Sequence, residues 1–284
     1  MSISSTHAVG HSRRLARLFG GDARTLIVGF DHAVSVGTAG GTLAAIPALA
    51  RLSWQGGTDA LQIGLQSVRE LDSEVASAPE VGLVLRIDQS SVSDESQQVV
   101  PVSVRWASPR QVSRAAGDAA VVFYVHDLRD SRIGSAHAEM VGAVADECSE
   151  LGLPLMVEVM VKSEDVRPEL FSSAMVDASR IAFELGADLV KVDCTPAPEA
   201  MRDLVDAVPV PVLLRGGSPR STLAQTRSVL EHCLDAGVAG AVYGRTIWQS
   251  RDPEYVTREL RAAIHGRTHQ LPSACRSENE QSNA

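Results

Sequence analysis

The chain has almost no lysine. Of 26 basic residues in 284, only Lys162 and Lys191 are lysines and the others are arginines. Aromatic residues make up 4% of the chain against 44% hydrophobic overall, so valine, leucine and alanine must fill the core. That composition suits parallel strands covered on both faces. The four cysteines, Cys148, Cys194, Cys233 and Cys275, are far apart in sequence, with no CxxC pair and no metal-ligand spacing. Reduced thiols are therefore expected, and neither a metal nor a cofactor is. No apolar run reaches membrane-spanning length, and Met1 to Gly10 is too polar for a signal peptide, which points to a cytoplasmic protein. A net charge of −9, with no lysine-rich or arginine-rich run, argues against nucleic acid or an anionic membrane as partner.

What is present is a repeated unit: a short apolar run, a polar or glycine-rich turn, then an amphipathic segment. The strand runs are Thr25 to Asp31, Asp59 to Ile63, Val81 to Asp88, Ala119 to Val125, Leu153 to Val161, Ala187 to Asp193, Val210 to Arg215 and Gly240 to Arg245. Helical patterns follow them. Eight such units are the count of a single (β/α)8 TIM barrel over residues 25–265, with an open doubly wound sheet as the alternative for parts of the chain. Residues 1–24 form an extension that is loose up to His11 and helical from His11 to Phe19, placed to plug the barrel bottom. Val102 to Trp106 adds an extra strand, and the polar residues 266–284 form a disordered tail.

Lys191 is the residue on which a functional reading turns. An amine in the run between Gly186 and Pro196 lies where an unpaired ammonium is costly. Only an amine can shed its proton near neutral pH and attack a carbonyl to form a Schiff base. The alternatives are a strand-end lysine whose head reaches solvent, or one paired with Asp193. Lys162, near the mouth of the neighbouring strand, could depress the pKa of Lys191, hold a second phosphate or lie on the surface.

In a barrel the working residues gather at the carboxyl ends of the strands. Asp31 and Glu158 are acidic residues in apolar strands, where desolvation should raise their pKa values. They are the acid/base candidates, with loop capping and a lysine salt bridge as their structural alternatives. His32, Arg86, Asp88, His126 and Asp193 lie at the same end. Gly216-Gly217-Ser218 after strand seven, with Arg215 before it, and Gly244-Arg245 after strand eight are placed for phosphate. A Gly-Gly pair alone is also a tight turn.

These stretches resemble archaeal-type class I fructose-bisphosphate aldolases and the related tagatose-bisphosphate aldolases. Phe30-Asp31-His32-Ala33-Val34-Ser35 is similar to the family's segment after strand one, and Gly186-Ala-Asp-Leu-Val-Lys191-Val to its Schiff-base strand. Val210-Pro-Val-Leu-Leu-Arg-Gly216-Gly217 and Gly240-Ala-Val-Tyr-Gly244-Arg245-Thr-Ile-Trp248 are similar to its phosphate loops. The resemblance covers residues 25–250. It implies that Lys191 forms the imine, Asp31 assists proton transfer, and Gly217, Gly244 and Arg245 hold phosphate. The substrate would be a phosphorylated sugar and the enzyme a homo-oligomer.

The chain departs from the pattern on strand five. Met160-Val161-Lys162-Ser163 stands where the fructose-bisphosphate members carry Tyr-Pro-Arg-Gly, and methionine cannot transfer a proton. Glu158 lies two residues earlier and on the same face, and a glutamate on this strand is a feature of the tagatose-bisphosphate branch that the chain resembles. Two other readings stand beside the aldolase. One is a metal-dependent barrel lyase using His32, His126, Asp88 and Glu158; the other is a non-catalytic sugar-phosphate binder.

Overall fold

The computed structural model describes residues 5–31, 45–71, 73–90, 103–162, 167–195, 198–216 and 221–266. The apolar runs become β1 (Thr25–Gly29), β2 (Ala60–Gly64) and β3 (Gly82–Arg86), then the pair β4 (Asp88–Ser90) and β5 (Ser103–Arg105). They continue as β6 (Ala119–Asp127), β7 (Leu155–Lys162), β8 (Leu189–Val192), β9 (Val212–Arg215) and β10 (Gly240–Tyr243). All but β4 and β5 form one closed parallel barrel in which each strand lies beside its sequence neighbour and β10 closes on β1. The TIM-barrel expectation therefore holds. The extra strand expected near Val102 is β5, which runs antiparallel to β4 beside the barrel.

The strands begin from a repeated anchor. Asp59, Asp118 and Asp188 each precede a strand and accept the backbone N–H of the strand before: Leu26 at 2.7 Å, Leu83 at 2.9 Å and Leu155 at 2.8 Å. A carboxylate takes up an edge donor that would otherwise stay unpaired. This fixes register at the amino ends, and register decides which side chains enter the barrel.

Alternation then sorts the residues. Ile27, Ala60, Val84, Ala119, Val121, Met156, Leu189, Leu213 and Val242 form a closed inner cluster, while their neighbours in sequence pack outward under the helices. Two residues further along the same faces come Gln62, Arg86, Phe123, Glu158, Lys191 and Arg215. The interior therefore changes from apolar to charged in one layer.

The helix that precedes β1 spans Ser5–Arg17, six residues earlier than its expected start at His11. Its first turns are polar, but tertiary contacts hold the helix down. The Arg14 guanidinium donates to the carbonyls of Leu151 and Gly152 at 3.2 and 2.7 Å, and His11 pairs with Asp188 at 2.9 Å. The fully buried Leu18 enters the inner cluster from below. A Cβ on Gly82 would come within 2.7 Å of the Leu18 side chain, so glycine on β3 is what lets the plug seat. Gly240 does the same on the barrel wall: its φ is +149°, and a Cβ there would lie 2.0 Å from the Thr25 carbonyl oxygen. We expect Leu18→Ala to lower unfolding free energy by about 3 kcal/mol, read by urea or thermal denaturation, because the barrel wall cannot collapse into the void.

No helix among the described residues is long and apolar enough to cross a membrane. The expected tail lies, except for Gly266, outside the described residues.

Candidate active site

The charged layer at the carboxyl ends of the strands is one connected network. Glu158 and Lys191 are register partners on β7 and β8, both facing inward. The Lys191 Nζ lies 2.9 Å from Oε2 of Glu158 and 3.4 Å from Oε1 of Gln62. Gln62 in turn donates from Nε2 to Oδ2 of Asp31 at 2.6 Å. Lys191 is 5% exposed, Glu158 4% and Asp31 7%. Thus the amine points into the barrel, and its partner is Glu158. Asp193 is instead held by Arg215 through two hydrogen bonds of 2.6 Å.

Arg86 lies at the centre. Its Nε donates to Oδ2 of Asp31 at 2.8 Å, Nη1 to Oδ1 of Asp88 at 3.2 Å, and Nη2 to Oε2 of Glu158. The guanidinium carbon lies 3.8 Å from the centre of the Phe123 ring, and the residue is 1% exposed. Asp88 also accepts the Phe123 N–H at 2.7 Å.

Burial lowers the pKa of the Lys191 amine below its ordinary value by disfavouring the ammonium, with Glu158 and Asp31 working against that and Arg86 adding to it. Burial alone would raise the Glu158 carboxyl, but Lys191, Arg86 and Arg215 outweigh it and leave the pKa lowered. The expectation that desolvation decides Glu158 is thereby corrected: the cations around it decide. Asp88 goes the other way, since burial outweighs Arg86 and raises it to about 6. The cation acting on Lys191 is Arg86; Lys162 pairs with Asp127 at 3.4 Å at the rim.

The other candidates are placed unequally. His126 follows the outward alternation of β6 and faces the helix Ser131–Leu151, near Tyr124 and Gly134, so it does not join the inner network. Gly216 lies at the mouth between β9 and β10, but its N–H is engaged by the Val242 carbonyl at 2.9 Å. The Gly216 backbone lies so close to β10 that a Cβ there would meet the Tyr243 ring at 3.1 Å. Gly244 follows β10 as the cap of a short helix, Arg245–Trp248, which Arg245 opens rather than extending the strand. Trp248 donates from Nε1 to the Gly29 carbonyl at 3.1 Å, which steadies the chain two residues before Asp31. His32, Gly217 and Ser218 lie outside the described residues.

Gln62 was not among the expected site residues, although it stands as the lone amide in the run Ala60-Leu-Gln-Ile63, which was its signal. Arg86 was placed at the strand end without a role; its company of three carboxylates follows only from the closed register. Among the described residues no three His, Cys, Asp or Glu side chains are grouped as metal ligands. The carboxylates that a metal-dependent lyase would use, Asp88 and Glu158, already hold the Arg86 guanidinium.

The fold is a closed parallel barrel with one connected charged layer at its carboxyl end. The chain belongs to the family described as DeoC/LacD family aldolase, which matches residues 25–250. It is 27% identical over 261 residues to an uncharacterized aldolase of Saccharolobus solfataricus, covering 90% of this chain and 95% of that one. It is also 27% identical over 260 residues to the 2-amino-3,7-dideoxy-D-threo-hept-6-ulosonate synthase of Halobacterium salinarum, covering 90% and 92%. Among solved structures, an archaeal fructose 1,6-bisphosphate aldolase superposes with a TM-score of 0.78 at 24% identity, covering 90% of this chain and 100% of that one.

Proposed function

We propose that the chain is a class I aldolase that makes or breaks a carbon–carbon bond of a phosphorylated ketose through a Schiff base on Lys191. The observation that carries the reading is the buried Lys191 amine, 2.9 Å from the Glu158 carboxylate and bridged by Gln62 to Asp31. In the cleavage direction neutral Lys191 attacks the ketose carbonyl. The carbinolamine loses water with proton help from Asp31, leaving an iminium that serves as electron sink. Glu158 then takes the proton of the C4 hydroxyl, the C3–C4 bond breaks, and its electrons pass to the iminium as an enamine while the aldehyde leaves. Protonation of the enamine and hydrolysis of the imine free a dihydroxyacetone-phosphate-type product. Glu158 suits the base role because its surrounding cations keep it ionised.

The phosphate is assigned to the turns after β9 and β10, with Gly217, Ser218, Gly244 and Arg245 as its ligands. The similarity to a heptulosonate synthase supports carbon–carbon bond formation as a working direction alongside cleavage. A net charge of −9 supports a small-molecule substrate over nucleic acid or an anionic membrane.

The test is a panel of ketose mono- and bisphosphates assayed for release of dihydroxyacetone phosphate. Release from at least one member is expected, with full activity after chelator treatment. If every member is inert in both the cleavage and condensation directions, the reading is wrong.

A further inference from the structure

We propose that Arg86 is a positioning residue that keeps Glu158 seated and anionic while Lys191 changes from ammonium to free amine to iminium. The inference rests on the Schiff-base reading and assigns a function to the group at its centre. The geometry is specific: Oε2 of Glu158 is shared by Lys191 Nζ and Arg86 Nη2. When Lys191 gives up its proton to become a nucleophile, Glu158 loses one of its two closest counter-charges. A buried carboxylate left alone would take up that proton and cease to be a base. Arg86 prevents this, because a guanidinium does not deprotonate in a protein.

The same residue spaces the acid/base pair. Nε and Nη2 of one rigid plane hold Asp31 and Glu158 respectively, while Asp88 and the Phe123 ring fix the plane itself. The charged groups around Lys191 are Asp31 after β1, Asp88 opening β4, Glu158 on β7 and Arg215 on β9, with Arg86 on β3. Arg215 is paired to Asp193 and lies 3.8 Å from Glu158. Without Arg86, two buried carboxylates, Glu158 and Asp31, would act on the amine with less opposing positive charge, and both favour its ammonium form.

The experiment uses the near absence of lysine. With only Lys162 and Lys191 in the chain, competitive acetylation by trace acetic anhydride across pH, followed by peptide mass spectrometry, reads the Lys191 titration against Lys162. Arg86→Met should move the Lys191 midpoint to higher pH, so that its labelling at pH 7 to 8 falls several-fold relative to Lys162. Arg86→Lys, which keeps a cation, should restore part of the shift. Should Arg86→Met fail to fold, the double variant Arg86→Met with Asp88→Asn removes one carboxylate with the cation, and its midpoint should lie between wild type and the single variant. A midpoint unchanged or lowered in any folded variant lacking the guanidinium overturns the proposal. The labelling needs no substrate, so the two readings fail separately. Borohydride trapping of substrate on wild-type Lys191 with no midpoint shift sinks this inference alone, whereas a shift without trapping retains the electrostatic role of Arg86 and sinks the Schiff-base reading.

Discussion

Lys191→Met is expected to lower aldol cleavage by at least about 10⁴-fold, the scale on which removing a covalent nucleophile acts. In wild type, borohydride added with substrate should reduce the imine and fix its mass on the peptide that carries Lys191. In the variant that adduct should vanish while the circular-dichroism spectrum is retained, because Glu158 keeps Arg86 as its partner. Lys191→Arg should be equally inactive. A guanidinium supplies the charge but not the nucleophile, which separates covalent catalysis from simple binding of an anion. Undiminished cleavage in either variant, or an adduct mapped only to Lys162, would end the case for Lys191.

Glu158→Gln should reduce turnover by about 10² to 10⁴-fold, the usual contribution of one general acid/base. Unlike the lysine variant it should still form the trapped imine, since the amine remains. The glutamate carboxylate raises the proton affinity of Lys191, so its neutralisation should carry the Lys191 titration to lower pH, opposite in sign to Arg86→Met. Single-turnover measurements would then show rapid imine formation followed by slow bond cleavage. Turnover within a few-fold of wild type would transfer the base role to Asp31 or to a group elsewhere.

Much of this was legible in the chain itself because each barrel strand is a short apolar run with its own boundary. The strand boundaries put Lys191, Glu158 and Asp31 at the carboxyl ends, where a barrel gathers its working residues, before any coordinates are known. What alternation cannot give is who meets whom. Arg86 and Glu158 are 72 residues apart, and Lys191 and Gln62 are 129 apart; their contacts depend on eight registers closing at once. Hence Asp193 looked like a partner for Lys191 from sequence proximity, whereas the barrel gives Asp193 to Arg215. His126 misled for a related reason, since a residue at the right end of a strand can still face the wrong side. The helix Ser5–Arg17 was read short because its first turns carry little helical pattern and lie against the chain at Gly152, where a Cβ would come within 2.6 Å of the His7 carbonyl oxygen.

The seating of Leu18 beneath the barrel has a bearing on chemistry as well as on stability. With the lower mouth stoppered by Leu18 and an apolar layer above it, the charged layer is reached from the upper mouth of the barrel. Under the proposed Schiff-base mechanism, an imine on Lys191 would be shielded from hydrolysis from below.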